Sequence, residues 1–210
     1  MAEIEYFYAA HSAFAYLGSA AFMRIAKAAD RAIAHRPVDL RKVIDACGSV
    51  PFGKRTKAHV QYYFHREIER WSEERDAPWV GRIPTHHRND ITLPNCTLIA
   101  ARQQGHNIDR LAHAMLEQHW RDDVDLADAP TLAKIARSVD LDPDPILAAT
   151  DSAEVRKTYD AYTEEAIERS MFGSPTYFVD GDMFYGQDRL DMVERALRKP
   201  YAGDWPRKAS

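Results

Sequence analysis

Cysteine is scarce in this chain. Cys47 and Cys96 are the only two in 210 residues, and their wide separation matches neither a metal-ligand pattern nor a Cys-x-x-Cys redox pair. Disulfide exchange by the protein's own sulfur is therefore not expected, and both thiols are read as free and mostly buried. No apolar run is long enough to span a bilayer. Positive charge is not in excess: 28 Lys and Arg face 32 Asp and Glu, for a net charge of -4. Neither nucleic acid nor a membrane is thus an expected partner. The N-terminus has no basic stretch followed by an apolar one, so no signal peptide is read there and a cytoplasmic location is expected. Internal repeats, low-complexity tracts and the Gly-x-Ser-x-Gly elbow of serine hydrolases are also missing. What remains is a composition of 45% hydrophobic and 29% charged residues. It fits one sizeable soluble domain, or one domain with a large insert.

The order of elements is legible from periodicity. Residues 3–9 are aromatic-rich and weakly alternating, which suits a strand, and residues 13–29 carry Phe14, Leu17, Phe22 and Ile25 on one helical face. A second strand over 34–40, parallel to the first, completes a βαβ unit. Val60, Phe64, Ile68 and Trp71 recur at helical spacing over 56–75, until Pro78, Gly81 and Pro84 break the pattern. Helices are then expected over 98–104, 109–121, 129–139, 146–150 and 153–169. Segments 176–180 and 182–185 read as a hairpin turning at Asp180-Gly181, and 190–197 as a closing helix. The chain is an α/β protein of order βαβ, helical block, ββα. The expected division is one lobe from about 1–50 and 170–200, and a helical insert over about 51–169. Small-molecule sites favour the cleft that such an insert creates.

Four places carry candidate chemistry. Ser12 falls at the start of the first helix, where free backbone N–H groups and the helix dipole favour an anion such as a thiolate. Serine is also an ordinary N-cap. Ser174-Pro175, with Gly173 before it and the hairpin after it, is read as a cis bond, against the general preference for trans. Gly186-Gln187-Asp188-Arg189 opens the last helix, where Asp188 and Asp191 fit a capping arrangement. Finally, the segment 82–88 gathers Arg82, His86, His87 and Arg88. Its cations suit the carboxylate of an aromatic acid, Arg being the better bidentate clamp. The His86-His87 pair lacks Cys or carboxylate partners at zinc-ligand spacing, so no metal is assigned.

Taken together, Tyr6 to Leu17 with Ser12, Glu168 to Thr176 with Ser174-Pro175, and Met183 to Leu190 resemble the 2-hydroxychromene-2-carboxylate isomerases. These are relatives of the kappa-class glutathione transferases. Tyr63 to Trp71 adds a middle match, with Glu67 and Arg70 at the family's acidic and basic positions. The resemblance implies a thioredoxin-like fold of the DsbA and kappa transferase type with a large α-helical insertion, and a homodimer. It implies a glutathione-dependent isomerase of naphthalene-type aromatic catabolism, interconverting the chromene acid and trans-o-hydroxybenzylidenepyruvate by reversible thiolate addition. Ser12 would hold the glutathione sulfur in place of a redox cysteine. Lys54, Ser174, Pro175, Gln187 and Asp188 would complete the glutathione site, the last two reading the γ-glutamyl carboxylate and ammonium. His86, His87 and Arg88 would meet the aromatic acid. The chain departs from the family pattern at Ala9, Ala13, Lys54 and Ser174. The alternatives are a kappa-class-like transferase, or a non-catalytic glutathione-binding protein on a redox-inactive DsbA-like fold.

Overall fold

The computed structural model describes residues 3–203 and 205, without the side chain of Phe52. Strand β1 (Ile4–Tyr8) runs into helix α1 (Ala13–Ala28) and returns through β2 (Ile33–Pro37). Helices α2 (Leu40–Ala46), α3 (Lys57–Gln61), α4 (Glu67–Arg75), α5 (Thr92–Gln103), α6 (Asp109–Asp122), α7 (Ala129–Ser138), α8 (Pro143–Ala149) and α9 (Ala153–Glu168) follow. Strands β3 (Thr176–Val179) and β4 (Asp182–Tyr185) and helix α10 (Leu190–Arg198) close the chain. The strands form one sheet in the order β2-β1-β3-β4, with β1 parallel to β2 and antiparallel to β3. This is the expected thioredoxin-like arrangement, βαβ then ββα around a helical block.

Alternation along the strands decides which residues face which layer. Ile4, Tyr6 and Tyr8 join the main core with Leu17 and Phe22 of α1 and Leu111 and Trp120 of α6. Tyr6 stacks on Tyr8 at 4.2 Å and on Tyr177 of β3 at 5.3 Å between ring centroids. Phe7 and Phe178 point the other way, onto Val43 of α2, Ala166 of α9 and Met171. On that side Glu5, Arg36, Glu165 and Arg169 form a half-buried ring of ion pairs at 2.7–2.9 Å. Each cation there has two carboxylate partners, so neither is left uncompensated.

Local sequence explains most boundaries. Ser12, Asp39, Thr56, Asp128 and Ser152 accept backbone N–H bonds as N-caps of α1, α2, α3, α7 and α9. Asp180 and Gly181 both take positive φ, as a tight hairpin turn requires. Several expectations change. The second strand stops at Pro37, because Asp39 caps a helix over residues that extend the strand's apolar pattern. Helix α5 begins six residues before the expected start, with Pro94 in its first turn, where a missing N–H is tolerated. Helix α8 likewise opens on Pro143 behind Asp142 as its cap. The segment expected as one helix over 56–75 contains a π-helical turn, Tyr62–Arg66, between α3 and α4. Asp188 does not cap: a 3-10 turn (Gln187–Arg189) precedes α10 without a side-chain capping bond. Cys96 is buried as expected, but Cys47 is exposed.

Candidate active site

The site forms where β1 passes into α1. Three side chains from distant elements pin that junction. Ser174 Oγ accepts from the Ala9 N–H at 3.3 Å, and Asn95 Oδ1 accepts from the Ala10 N–H at 3.0 Å. Trp120 Nε1 donates to the His11 carbonyl at 2.8 Å. Asn95 is fully buried in α5 and its amide also donates to the Val38 carbonyl and the Tyr159 hydroxyl. Its polar capacity is thus spent on holding backbone in place.

Ser12 stands at the end of this pinned turn and is 7% exposed. Its Oγ accepts from the Ala15 N–H at 3.3 Å and donates to the Ser174 carbonyl at 3.4 Å. Both bonds are long for a hydroxyl. The Ser174-Pro175 bond is cis and faces Ser12 across the cleft. The N–H groups of Ala13 and Phe14, in the first turn of α1, have no intrahelical acceptor, and no acidic residue occupies that turn. This end of a sixteen-residue helix is therefore a positive pole next to a hydroxyl.

Two compartments of about 580 and 540 Å³ meet here and share Phe14, Tyr63, Ser174 and Tyr185 as walls. The first is mainly apolar and aromatic, and is lined by Ser12, His11, His87, Arg55, Phe64 and Trp120 among others. The second is polar, with Glu67, Trp71, Gln187, Asp188 and Arg189. Gly173 allows the dividing wall: a Cβ there would lie 2.3 Å from the Tyr185 ring. Neither Cys47 nor Cys96 lines either compartment.

The residues expected at the site are not all brought together. Ser12, Ser174, Gln187 and Asp188 line the two compartments. Gln187 is buried, and its Oε1 accepts from Arg75 Nε at 3.2 Å, which leaves the amide N–H groups as its donors. Gly18 makes that approach possible, since a Cβ there would lie 2.6 Å from Gln187 Cβ. Asp188 pairs with Arg189 at 2.6 Å. Lys54 is exposed and lines neither compartment, while the adjacent Arg55 lies in the first, its guanidinium 5.0 Å from the Phe64 ring centroid. Of His86, His87 and Arg88, only His87 lines the cleft. His86 lies 3.5 Å from Asp125, and Arg88 is exposed.

The loop that carries His87 is anchored on the end of α6. Asp123 accepts from the Thr85 N–H and hydroxyl and pairs with Arg82, and Asp125 accepts from Asn89. His87 is thereby laid against His119, Nδ1 to Nε2 at 3.1 Å, and against His11, ring to ring at 4.6 Å. Burial, then the neighbouring His119, Arg41 and Arg88, push the His87 pKa down to about 3. Burial also lowers His119, and lowers His11 well below the usual histidine value. All three are neutral at pH 7, so His87 is no cationic partner for a carboxylate. Among the described lining residues of this compartment, Arg55 carries the permanent positive charge. Sequence reading missed Asn95 and the join of His11 to His119, and it gave Arg55, in a basic stretch read as a solvated face, no role at the site. An amide inside the apolar run Leu93-Pro94-Asn95-Cys96-Thr97-Leu98 was the signal for the first. Among the described residues, no group of three or more His, Cys, Asp and Glu is placed to hold a metal ion.

The model of the DSBA-like thioredoxin domain matches residues 3–198. The chain belongs to the DSBA-like thioredoxin family. Within that family it is similar to the 2-hydroxychromene-2-carboxylate isomerase of Sphingobium xenophagum, at 26% identity over 92% of this chain and 97% of that protein. The protein of that name from Pseudomonas sp. strain C18 is 28% identical over 92% of this chain and 89% of its own length. A solved 2-hydroxychromene-2-carboxylate isomerase structure superposes with a TM-score of 0.77 at 23% identity, covering 93% of this chain and 94% of that one. The family resemblance read from the terminal motifs is borne out. The start of α1 carries Ser12 and Ala15, three residues apart, and no Cys-x-x-Cys pair. Among the described residues, no helix is long and apolar enough to cross a membrane.

Proposed function

We propose that the chain is a glutathione-dependent isomerase that interconverts 2-hydroxychromene-2-carboxylate and trans-o-hydroxybenzylidenepyruvate. One observation carries the reading: a hydroxyl at the positive end of α1, in a cleft that neither cysteine lines. The site is built for an anion, and its sulfur has to come from outside. Bound glutathione would supply a thiolate that adds reversibly to a conjugated carbon and frees the adjacent double bond to rotate.

The protein's residues have separable tasks. Ser12 Oγ and the first-turn N–H groups of α1 stabilise negative charge beside them. The Ser174 backbone, held by the contact of its carbonyl with Ser12, lines an edge suited to a peptide-like ligand. Gln187 offers amide donors to a carboxylate, and Asp188 offers a negative charge to an ammonium. The aromatic compartment takes a flat acid, with Arg55 for its carboxylate. Excluding water there strengthens each electrostatic contact. A cytoplasmic setting, where free glutathione is plentiful and free thiols persist, suits this reading.

The test is an assay of chromene acid interconversion with and without glutathione, run beside a generic transferase substrate. Turnover should require glutathione and leave its concentration unchanged. Turnover without glutathione would overturn the proposal, and accumulation of a stable conjugate would make the protein a transferase.

A further inference from the structure

We infer that His87 presents a bare Nε2 to the aromatic compartment and uses it to accept a hydrogen bond from the hydroxyl group of the substrate. The assignment follows from a chain of three hydrogen-bonding groups. His119 Nδ1 lies 2.9 Å from the Val124 carbonyl. A carbonyl only accepts, so Nδ1 of His119 carries the proton. A neutral imidazole has one N–H, which leaves His119 Nε2 as an acceptor. His87 Nδ1 lies 3.1 Å from that nitrogen and must donate to it. The single proton of neutral His87 is then used, and its Nε2 has only a lone pair. Among the described residues no hydrogen-bond partner of that nitrogen is found, and the ring lines the cleft.

Three features keep the arrangement from reversing. His119 is 1% exposed, so water cannot replace the Val124 carbonyl as its partner. The loop bearing His87 is held by Asp123 and Asp125 at the end of α6. The groups facing His87 are the rings of His11, His119 and Trp120 and the cations Arg41 and Arg88, and none of them brings a negative charge to stabilise an imidazolium. A neutral acceptor in a mainly apolar pocket selects for a donor. It favours a protonated hydroxyl, disfavours a second carboxylate by lone-pair repulsion, and is left unpaired by a ligand with hydrogen at that position. His87 is therefore a specificity-determining residue, and it is opposite in kind to the carboxylate clamp expected of its loop. The inference rests on the aromatic keto-acid substrate proposed above.

Two measurements test it. Imidazole 15N NMR of the wild-type protein, which needs no variant, reads the tautomers directly. His87 and His119 should both be protonated at Nδ1 and bare at Nε2. A protonated Nε2 on His87 overturns the inference. The second measurement compares binding of trans-o-hydroxybenzylidenepyruvate and of trans-benzylidenepyruvate, which lacks the ortho hydroxyl, in the absence of glutathione. Wild type should favour the hydroxylated acid by roughly tenfold. His87→Leu should lose the preference, mainly through weaker binding of the hydroxylated acid. His87→Gln, whose carbonyl oxygen falls near the Nε2 position, should keep part of it. Equal wild-type affinities for the two acids overturn the role of His87 while leaving the substrate class standing. Failure of both acids to bind the wild-type protein overturns the substrate class, and the hydroxyl assignment with it.

Discussion

Replacing Ser12 with alanine separates two roles that one hydroxyl can play. As a cap, Ser12 Oγ accepts from the Ala15 N–H at 3.3 Å, and loss of such a cap costs about 1 kcal/mol of stability. The bond is long, and the turn remains pinned by Ser174, Asn95 and Trp120, so the cost should fall at or below that figure. For a chain of this size it corresponds to a fall in melting temperature of about 2–4 °C. As a donor to a developing anion, the same hydroxyl would be worth about 2.7–4 kcal/mol, or a loss of about 10²–10³ in turnover. The backbone N–H groups at the start of α1 survive the change, so activity should drop steeply without vanishing. Thermal melting and glutathione-dependent turnover, corrected for the folded fraction, read the two effects independently. The expected outcome is a small thermal shift with at least a hundredfold loss of turnover. A variant that melts several degrees lower yet turns over normally per folded molecule would refute the catalytic role and leave a helix cap.

Asp188→Asn removes the negative charge from the polar compartment without disturbing a cap, because Asp188 caps nothing. Glutathione affinity should weaken several-fold in titration calorimetry, whereas the affinity of free cysteine, which lacks the γ-glutamyl arm, should not change. Gly18→Ala puts a methyl group 2.6 Å from Gln187 Cβ and should cost about 1–3 kcal/mol in urea denaturation through overpacking, with weaker glutathione binding as the Gln187 turn shifts. Cys47, which is exposed, should react readily with iodoacetamide, while burial protects Cys96 and pushes its pKa up to about 11. Mass spectrometry will locate the label, and the double Ser variant, once shown to be folded, should keep its glutathione-dependent turnover.

The sequence made local features plain and long-range ones obscure. Helices α6, α7 and α9 were visible because their apolar period is long and Asp128 and Ser152 mark the starts of two of them. Helix α2 was hidden: Val38 and Leu40 extend the strand's apolar pattern, and seven residues are too few to establish a helical period. The place of Ser12 at the start of α1 was legible because a strand-to-helix turn is local. Gln187 and Asp188 were found through the resemblance, yet the capping role given to Asp188 failed because Gly186 takes a φ of 98° and a 3-10 turn intervenes. His119 went unnoticed because its meaning comes from a loop anchored by Asp123 and Asp125, a contact that no periodicity encodes.

The π-helical turn at Tyr62–Arg66 has a bearing on how this protein can diversify. Such a turn holds one residue more than an α-helical one, so deleting a residue there would close it to an α-helical turn and re-aim the side chains within it, while the helix before and after keeps nearly its rotational register. Downstream, α4 stays docked on α1 through buried Ile68, and it carries Glu67 and Trp71 of the polar compartment. Upstream lies Arg55, and within the turn lie Tyr63 and Phe64, all three facing the aromatic compartment. A one-codon deletion would therefore re-aim Tyr63 and Phe64 in a single step, changing the aromatic compartment and its shared wall while Glu67 and Trp71 keep their places. The molecule thus separates what it can change from what it must keep, and the line between them runs through one helical turn.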